Sequence, residues 1–419
     1  MTPEFRHVLS SLRAHRVPAL LVIFEIALAC AVLCNAVFMI GQRMSDMHLP
    51  NAIDEQGIVV VSMRGGDAAG AAGSVPRDLE ALRSIAGVQA AGSVTSVPLD
   101  NNGQNDAFGT SPDARMEDAA SVTLEYSFLG EGADKALGLH LLQGRFFTAE
   151  EYANSSLRPE LMPRSHVAII TQSLAQRIWP GQSAIGKVMY SKPLWYTVVG
   201  VIADVLCSND AVRSGGDRGF YYGAFFPIDP AGSVGAFSPA NPQTNYVLRS
   251  LPAERDRVLG EAVRRLKQLN PAAVIQAKRF TDVRDQYFAD NASVAITLAV
   301  ICVIMLLVTA FGIVGLTSFW VRQRRRQIGI RRAIGASRRQ VVYYFQTENF
   351  LLSTIGVMLG MALAFGINLY LMQHYQMQHM PWYYLPAGAL TLWLLGQLAV
   401  LGPALRAAQV PPMVATRAA

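Results

Sequence analysis

Four apolar stretches, separated by one long polar insert, constrain this chain more than any other feature of its sequence. A helix needs about 20 predominantly apolar residues, at a rise of about 1.5 Å each, to cross ~30 Å of hydrocarbon. Two stretches qualify on sight, "VPALLVIFEIALACAVLCNAVFMIG" from Val17 and "ASVAITLAVICVIMLLVTAFGIVGLTSFWV" from Ala292. Residues 349–372 and 385–405 supply two more. Hydrocarbon offers no partner to a bare peptide group, so each stretch must be helical. The first run exceeds the ~7–15 apolar residues of a cleaved leader. The following "IGQRMSD" has no small-residue cleavage pattern, so this span is read as an anchor. The expected fold is an α-helical membrane protein with four transmembrane helices and a mixed α/β extracytoplasmic domain of two lobes.

Charge sets the expected orientation, because Lys and Arg in short flanks stay on the cytoplasmic side. Arg6, Arg13 and Arg16 precede the first span, and eight Arg with no acid fill residues 322–339. "QHYQMQHMPWYY", between the third and fourth spans, has neither Lys nor Arg. Both termini and the Arg-rich loop are thus expected in the cytoplasm, with the insert outside. Outside the insert, 13 Arg stand against three Glu for a net +10; the insert itself, Gln42 to Asn291, carries −4. The basic balance is therefore a topology signal and gives no support to nucleic-acid binding. Cys207 alone is external, so no disulfide is expected within the domain, which must rest on an apolar core.

The expected segments are an amphipathic cytoplasmic helix over 1–16 and a first span over 17–41. An external domain over 42–280 is followed by a stalk and second span over 281–321. An Arg-rich loop over 322–348 leads to a third span over 349–372. A short external loop over 373–384, a fourth span over 385–405 and a tail over 406–419 complete the chain. Within the insert, "GIVVVSM", "SVTLEYSFLG", "HVAII" and "WYTVVGVIADV" read as strands. "PRDLEALRSIAG", "SLAQRIW" and "PAERDRVLGEAVRRLKQLNP" read as helices. "TDVRDQYFADNASVAITL" lacks Pro and Gly, which predicts one continuous helix from the domain into the second span.

Three short motifs imitate a nucleotide site. "GQSAIGKV" has the glycine spacing of a phosphate loop, "YTVVGVIADV" resembles an apolar strand ending in Asp, and "RSGGDRG" resembles an ATPase signature. Val188 occupies the position where a Ser or Thr must hold magnesium. A helix precedes the loop where a strand is required, and the motifs crowd together where each βαβ unit alone takes ~30 residues. The chain is expected to bind no cofactor. Nor does the insert offer a catalytic pattern: its histidines, His48, His140 and His166, belong to no HExxH sequence.

The stretch "RRRQIGIRRAIGASRRQVVYYFQTENFLLSTIGVMLGMALAFG", from Arg324 to Gly366, resembles the core of a permease family. That family includes the macrolide exporter MacB, the lipoprotein-release permeases and the cell-division protein FtsX. The tail from Pro403 is similar, and "GLHLLQGRFFTAEE", "VAIITQSLAQRIWPGQSAIGK" and "YTVVGVIADV" follow in the order typical of MacB-like external domains. The resemblance implies a bacterial inner-membrane permease that performs no covalent chemistry. ATP and Mg would sit on a separate ABC ATPase subunit, whose closure moves the permease. It further implies a dimer with a second copy or a sister permease, and recruitment of a periplasmic adaptor and an outer-membrane channel. The substrate would be an antibiotic, peptide or lipoprotein.

The implied ATPase dock is Gln327, Ile328, Gly329, Ile330, Arg331, Arg332, Ile334 and Gly335. Gln327 stands where the family usually has Glu, removing one charge. The Arg cluster also suits acidic lipid headgroups. On the third span Gly356, Gly360 and Ala364 form a small-xxx-small row for close helix packing, within the chain or across a dimer. Glu25 and Asn35, polar residues inside the first span, are candidates for helix contact or conformational coupling. A membrane-anchored sensor working through a separate signalling partner is the competing class.

Overall fold

A computed structural model describes residues 16–65, 68–100, 103–112, 121–157, 162–191, 194–207, 219–229, 243–375 and 379–409. The amphipathic-helix expectation for residues 1–16 falls almost wholly outside them, as does most of "RSGGDRG". The chain divides into two compact units, His48–Asp290 and a second made of Met1–Met47 with Asn291–Ala419.

The His48–Asp290 unit is built on an 11-stranded sheet in the order β11-β1-β10-β2-β4-β9-β6-β8-β5, with β3 against β4 and β7 against β8. The strands are β1 (Ile58–Arg64), β2 (Val88–Val94), β3 (Gln104–Phe108), β4 (Val122–Leu129), β5 (Leu141–Gly144), β6 (Val167–Thr171), β7 (Val188–Ser191), β8 (Leu194–Ile202), β9 (Gly223–Pro227), β10 (Gln243–Ser250) and β11 (Val274–Arg279). Strand β2 meets β4 through one residue pair, Val94 with Leu129. That narrow join separates two lobes, each with its own core.

In the first lobe β1 lies antiparallel between β10 and β11. Alternate residues Val59, Val61 and Met63 point to one face and pack with Tyr246 and Leu248 of β10, as the period of two requires. Helices α2 (Ala68–Arg83) and α6 (Arg255–Leu269) cover that face. Val258, Ala262 and Leu266 of α6 recur every four residues and are buried, while Arg257 and Arg264 stay outside. In the second lobe β4 pairs in parallel with β9, and β6 with β8. Its core is aromatic, with Phe226 within 4.5–6.2 Å of the rings of Phe108, Tyr126, Phe128 and Tyr196. Burial and the nearby Asp106 push the Tyr126 hydroxyl up to about 12.

A charge is fully buried in the first lobe. Asp78 of α2 is 0% exposed and accepts a 3.0 Å hydrogen bond from Tyr246 Oη and 3.1 Å bonds from Asn270 Nδ2. Arg77 adds a 3.2 Å contact from the surface. These bonds tie α2 to β10 and to the end of α6.

The second unit holds four long helices, α1 (Arg16–Met47), α7 (Phe280–Gln323, shared with the first unit), α9 (Arg338–Tyr375) and α10 (Tyr384–Ala408). Each contains a stretch long and apolar enough to cross a membrane. Helix α7 is the uninterrupted helix that its Pro- and Gly-free beginning predicts. The tightest seam joins α9 to α1. A Cβ on Gly356 would stand 2.9 Å from Ile26 Cβ, and one on Gly360 2.7 Å from the Ala27 carbonyl oxygen. One turn further, the Ala364 carbonyl accepts a 3.1 Å hydrogen bond from Asn35 Nδ2, which also donates to Ala31 O at 3.0 Å.

Two outcomes follow from this packing. Asp78→Ala strands the Tyr246 hydroxyl and the Asn270 amide, and is expected to cost about 2–4 kcal/mol, read as a lowered unfolding temperature of the purified chain. Gly360→Leu forces α9 away from α1 and is expected to cost at least ~1–3 kcal/mol. Gly366→Ala, which has open space around it, should leave the unfolding temperature within error of the parent.

Candidate functional site

The Arg-rich segment folds into a short helix, α8 (Arg325–Ala333), between α7 and α9. Its end is written in "AIGAS". Gly335 takes a left-handed φ of +108°, the Ala336 N–H reaches Arg331 O at 3.0 Å, and the Gly335 N–H reaches Arg332 O at 3.2 Å. This pair of bonds is a Schellman ending, for which glycine is favoured because a Cβ would be strained there. Ser337 then starts α9 with a reciprocal cap: its Oγ accepts from the Gln340 N–H at 3.3 Å, and its own N–H donates to Gln340 Oε1 at 2.8 Å.

The helix has two faces of different character. Arg324, Ile328 and Arg332, spaced by four, point toward the spans. The Arg324 guanidinium donates to both Glu348 oxygens of α9, at 3.0 and 3.1 Å, with both side chains buried. Arg332 Nη1 donates to the Ala408 carbonyl at 3.0 Å. It thereby satisfies one of the unpaired carbonyls at the end of α10, where a cation is favoured by the helix dipole. Ile328 and Gly329 are buried between these two contacts.

On the opposite face Gln327, Ile330, Arg331 and Ile334 are exposed, Ile334 at 81%. Arg331 also lies 5.1 Å from the ring centroid of Tyr344, which holds its charge near the start of α9. The eight dock residues inferred from sequence therefore separate. Gln327, Ile330, Arg331, Ile334 and Gly335 are open to a partner, whereas Ile328, Gly329 and Arg332 lean on the spans.

Sequence reasoning missed the Arg324–Glu348 pair, because 24 residues separate its members. The available signal was the lone acid at the edge of a segment holding eight arginines. Glu25 and Asn35 are not brought together. Asn35 is bonded to α9, while the Glu25 carboxyl lies against Gly312 of α7, with Oε2 2.6 Å from where a Cβ would stand.

"GQSAIGKV" joins helix α5 (Gln172–Ile178) to β7, the reverse of a phosphate loop. Gly181 and Gly186 adopt φ of +69° and +80°. The Gly186 N–H is spent on Val198 O at 2.8 Å, and Lys187 Nζ contacts Gln182 Oε1. The segment is a turn that docks onto β8. Among the described residues no group of three or more His, Cys, Asp or Glu could hold a metal ion. Cys207 is free and buried, and burial pushes its thiol well up.

Two family descriptions match the chain, the MacB-like periplasmic core domain over residues 20–260 and the FtsX-like permease C-terminal segment over residues 299–412. The pyoverdine export ATP-binding/permease protein PvdT of Pseudomonas putida is 27% identical over 238 residues, covering 54% of this chain and 33% of that protein. The macrolide export ATP-binding/permease protein MacB of Chromobacterium violaceum is 23% identical over 251 residues, covering 59% and 36%. The chain spans about a third of the length of the curated relatives it matches. Among solved structures, the periplasmic region of MacB from Actinobacillus actinomycetemcomitans overlaps 54% of this chain and 91% of its own, at 13% identity and a TM-score of 0.34. With the core-domain match alone covering more than half of the sequence, the chain belongs to the MacB/FtsX-like family of ABC transporter permeases.

Proposed function

We propose that this chain is the membrane subunit of a MacB-type ABC export system of the bacterial inner membrane, and that α8 is where an ATPase engages it. The observation that carries the reading is the division of α8. One face is tied to α9 and α10 through Arg324 and Arg332, and the other exposes Ile330, Arg331 and Ile334. An apolar pair flanked by cations suits a groove with an acidic rim. The names of the relatives, which pair ATP binding with permease function, support the choice of an ATPase as the occupant.

In this reading ATP and Mg bind to the ATPase, and no step of hydrolysis uses a residue of this chain. Closure of two ATPases displaces α8. The buried ion pair passes the displacement to the start of α9, and the Arg332 contact passes it to the end of α10. Helix α7 runs unbroken from Phe280 to Gln323 and carries the movement toward the domain it emerges from. The termini and α8 face the cytoplasm, as the charge bias requires, and His48–Asp290 is periplasmic.

The permease works as a dimer with a second copy or a sister chain. Ile296, Val300, Val303, Leu307 and Phe311 of α7 are exposed apolar surface available to that partner or to lipid. An adaptor and an outer-membrane channel would complete the route. The substrate is an antibiotic, a peptide or a lipoprotein, moved from the outer face of the inner membrane.

Purification from native membranes in mild detergent tests the two faces separately. The parent chain is expected to bring an ABC ATPase with it. Arg331→Glu with Ile334→Asp should lower its recovery at least tenfold, as loss of a buried anchor and a charge would. Arg332→Gln should retain the ATPase and its hydrolysis while export falls, because the tie to α10 is cut. If a well-folded parent repeatedly brings no ATPase, the export reading fails and a sensor with a different partner takes its place.

A further inference from the structure

The first-lobe sheet has two unlike faces. Val59, Val61 and Met63 of β1 enter the apolar core, so Val60, Ser62 and Arg64 point to the other side. The register pairs Val60 with Lys278 and Ser62 with Gln276 of β11, which sets those two side chains on this second face. Directly after β11 the chain turns into α7. Val283, Gln286 and Tyr287, whose spacing puts them on one side of that helix, stand over the sheet. Together with the turn at Leu99 and Asp100 they bound a cavity of about 320 Å³. That is the lower end of the ~300–1,000 Å³ typical of small-molecule sites. Every residue lining it belongs to the His48–Asp290 unit.

The lining combines three kinds of chemistry. Val60, Leu99 and Val283 supply apolar surface, while Ser62, Gln276 and Gln286 supply hydroxyl and amide groups. Arg64 and Lys278 are each positioned by a neutral amide: Arg64 Nε donates to Gln243 Oε1 at 3.0 Å, and Lys278 Nζ to Gln286 Oε1 at 2.8 Å. Those bonds orient the two cations without cancelling their charge, and a guanidinium suits a carboxylate. Asp100 is the one acid of the lining, so two positive charges stand against one negative. That balance matches a monoanion better than a dianion. Leu99 is also the one non-glycine with a left-handed φ, +66°, among the described residues, and it is 2% exposed. This backbone is disfavoured for any residue with a Cβ, and such strain concentrates where a ligand is held.

We infer that this cavity binds a small monocarboxylate that carries an amide and an apolar body, the chemical class of an N-acylated amino acid. The carboxylate meets the cations, the amide exchanges hydrogen bonds with Ser62 and Gln276, and the apolar body rests on Val60, Leu99 and Val283. An occupant would tie the root of α7 to β1 and β11. The site stands on the geometry of its own lobe; any consequence for export rests on the function proposed above.

Calorimetry with N-acetyl-L-phenylalanine on the full chain in phosphatidylcholine nanodiscs, with empty nanodiscs as baseline, tests the site. It requires no ATPase, so it succeeds or fails separately from the export reading. Saturable binding is expected. The uncharged carboxamide of the same compound should bind at least tenfold more weakly, and so should the acid to a chain carrying Arg64→Gln with Lys278→Gln. Lys267→Gln removes an exposed charge from α6, on the core side of the sheet, and should leave Kd unchanged. Gln276→Trp fills the cavity without altering its charge, on a strand position that accepts an aromatic ring. It should abolish binding while the unfolding temperature stays within error of the parent. Absence of saturable binding, equal affinity for the carboxamide, parent-like binding by Gln276→Trp or displacement by an equal concentration of inorganic phosphate would each overturn the proposal.

Discussion

Burying Arg324 against Glu348 is the interaction on which the membrane unit's arrangement turns. Two charges removed from water repay that cost only when their geometry is good, and removing one partner of such a pair typically costs about 3–5 kcal/mol. Here both carboxylate oxygens are engaged by one guanidinium. The pair fixes the place where α7 ends against the place where α9 enters the apolar region. Once those points are joined, the intervening nine-residue helix α8 has little freedom. Its inner face must carry Ile328 and Arg332, and its outer face is left to Ile330, Arg331 and Ile334.

The same logic, a polar contact that sets a position and an apolar surface that supplies the energy, recurs in the His48–Asp290 unit. Asp78 specifies how α2, β10 and the end of α6 meet, while Val59, Val61, Leu82, Val258 and Leu266 supply the burial. The core of the second lobe relies on stacked and tilted rings around Phe226. Each lobe can thus hold its form through its own core, joined at the sheet by the Val94–Leu129 pair.

The residues at α8 form a buried charge pair, a carbonyl tie and an outer face with two exposed isoleucines. The phosphate-loop-like motif spends the Gly186 N–H on Val198 O of the neighbouring strand.

Much of this was legible in the sequence. Four spans, the long insert, strands β1, β4, β6 and β8 and the continuous helix from Phe280 follow from local signals. Apolar length, alternation, and the absence of Pro and Gly act over one to a few turns and need no distant partner. Even the end of α8 was encoded locally, in Gly335 and Ser337. Which arginine faces inward was decided only by tertiary structure, because Arg324 finds Glu348 across 24 residues and Arg332 finds a backbone carbonyl 76 residues away. Periodicity marks Ile328 and Ile334 as equals, yet one is buried and the other 81% exposed. The sequence alone determined where the chain enters lipid and where it forms strands, since hydrocarbon and pleat select residues by local pattern. The fold alone decided which charges are bound and which remain available, since that depends on contacts between segments remote in the chain.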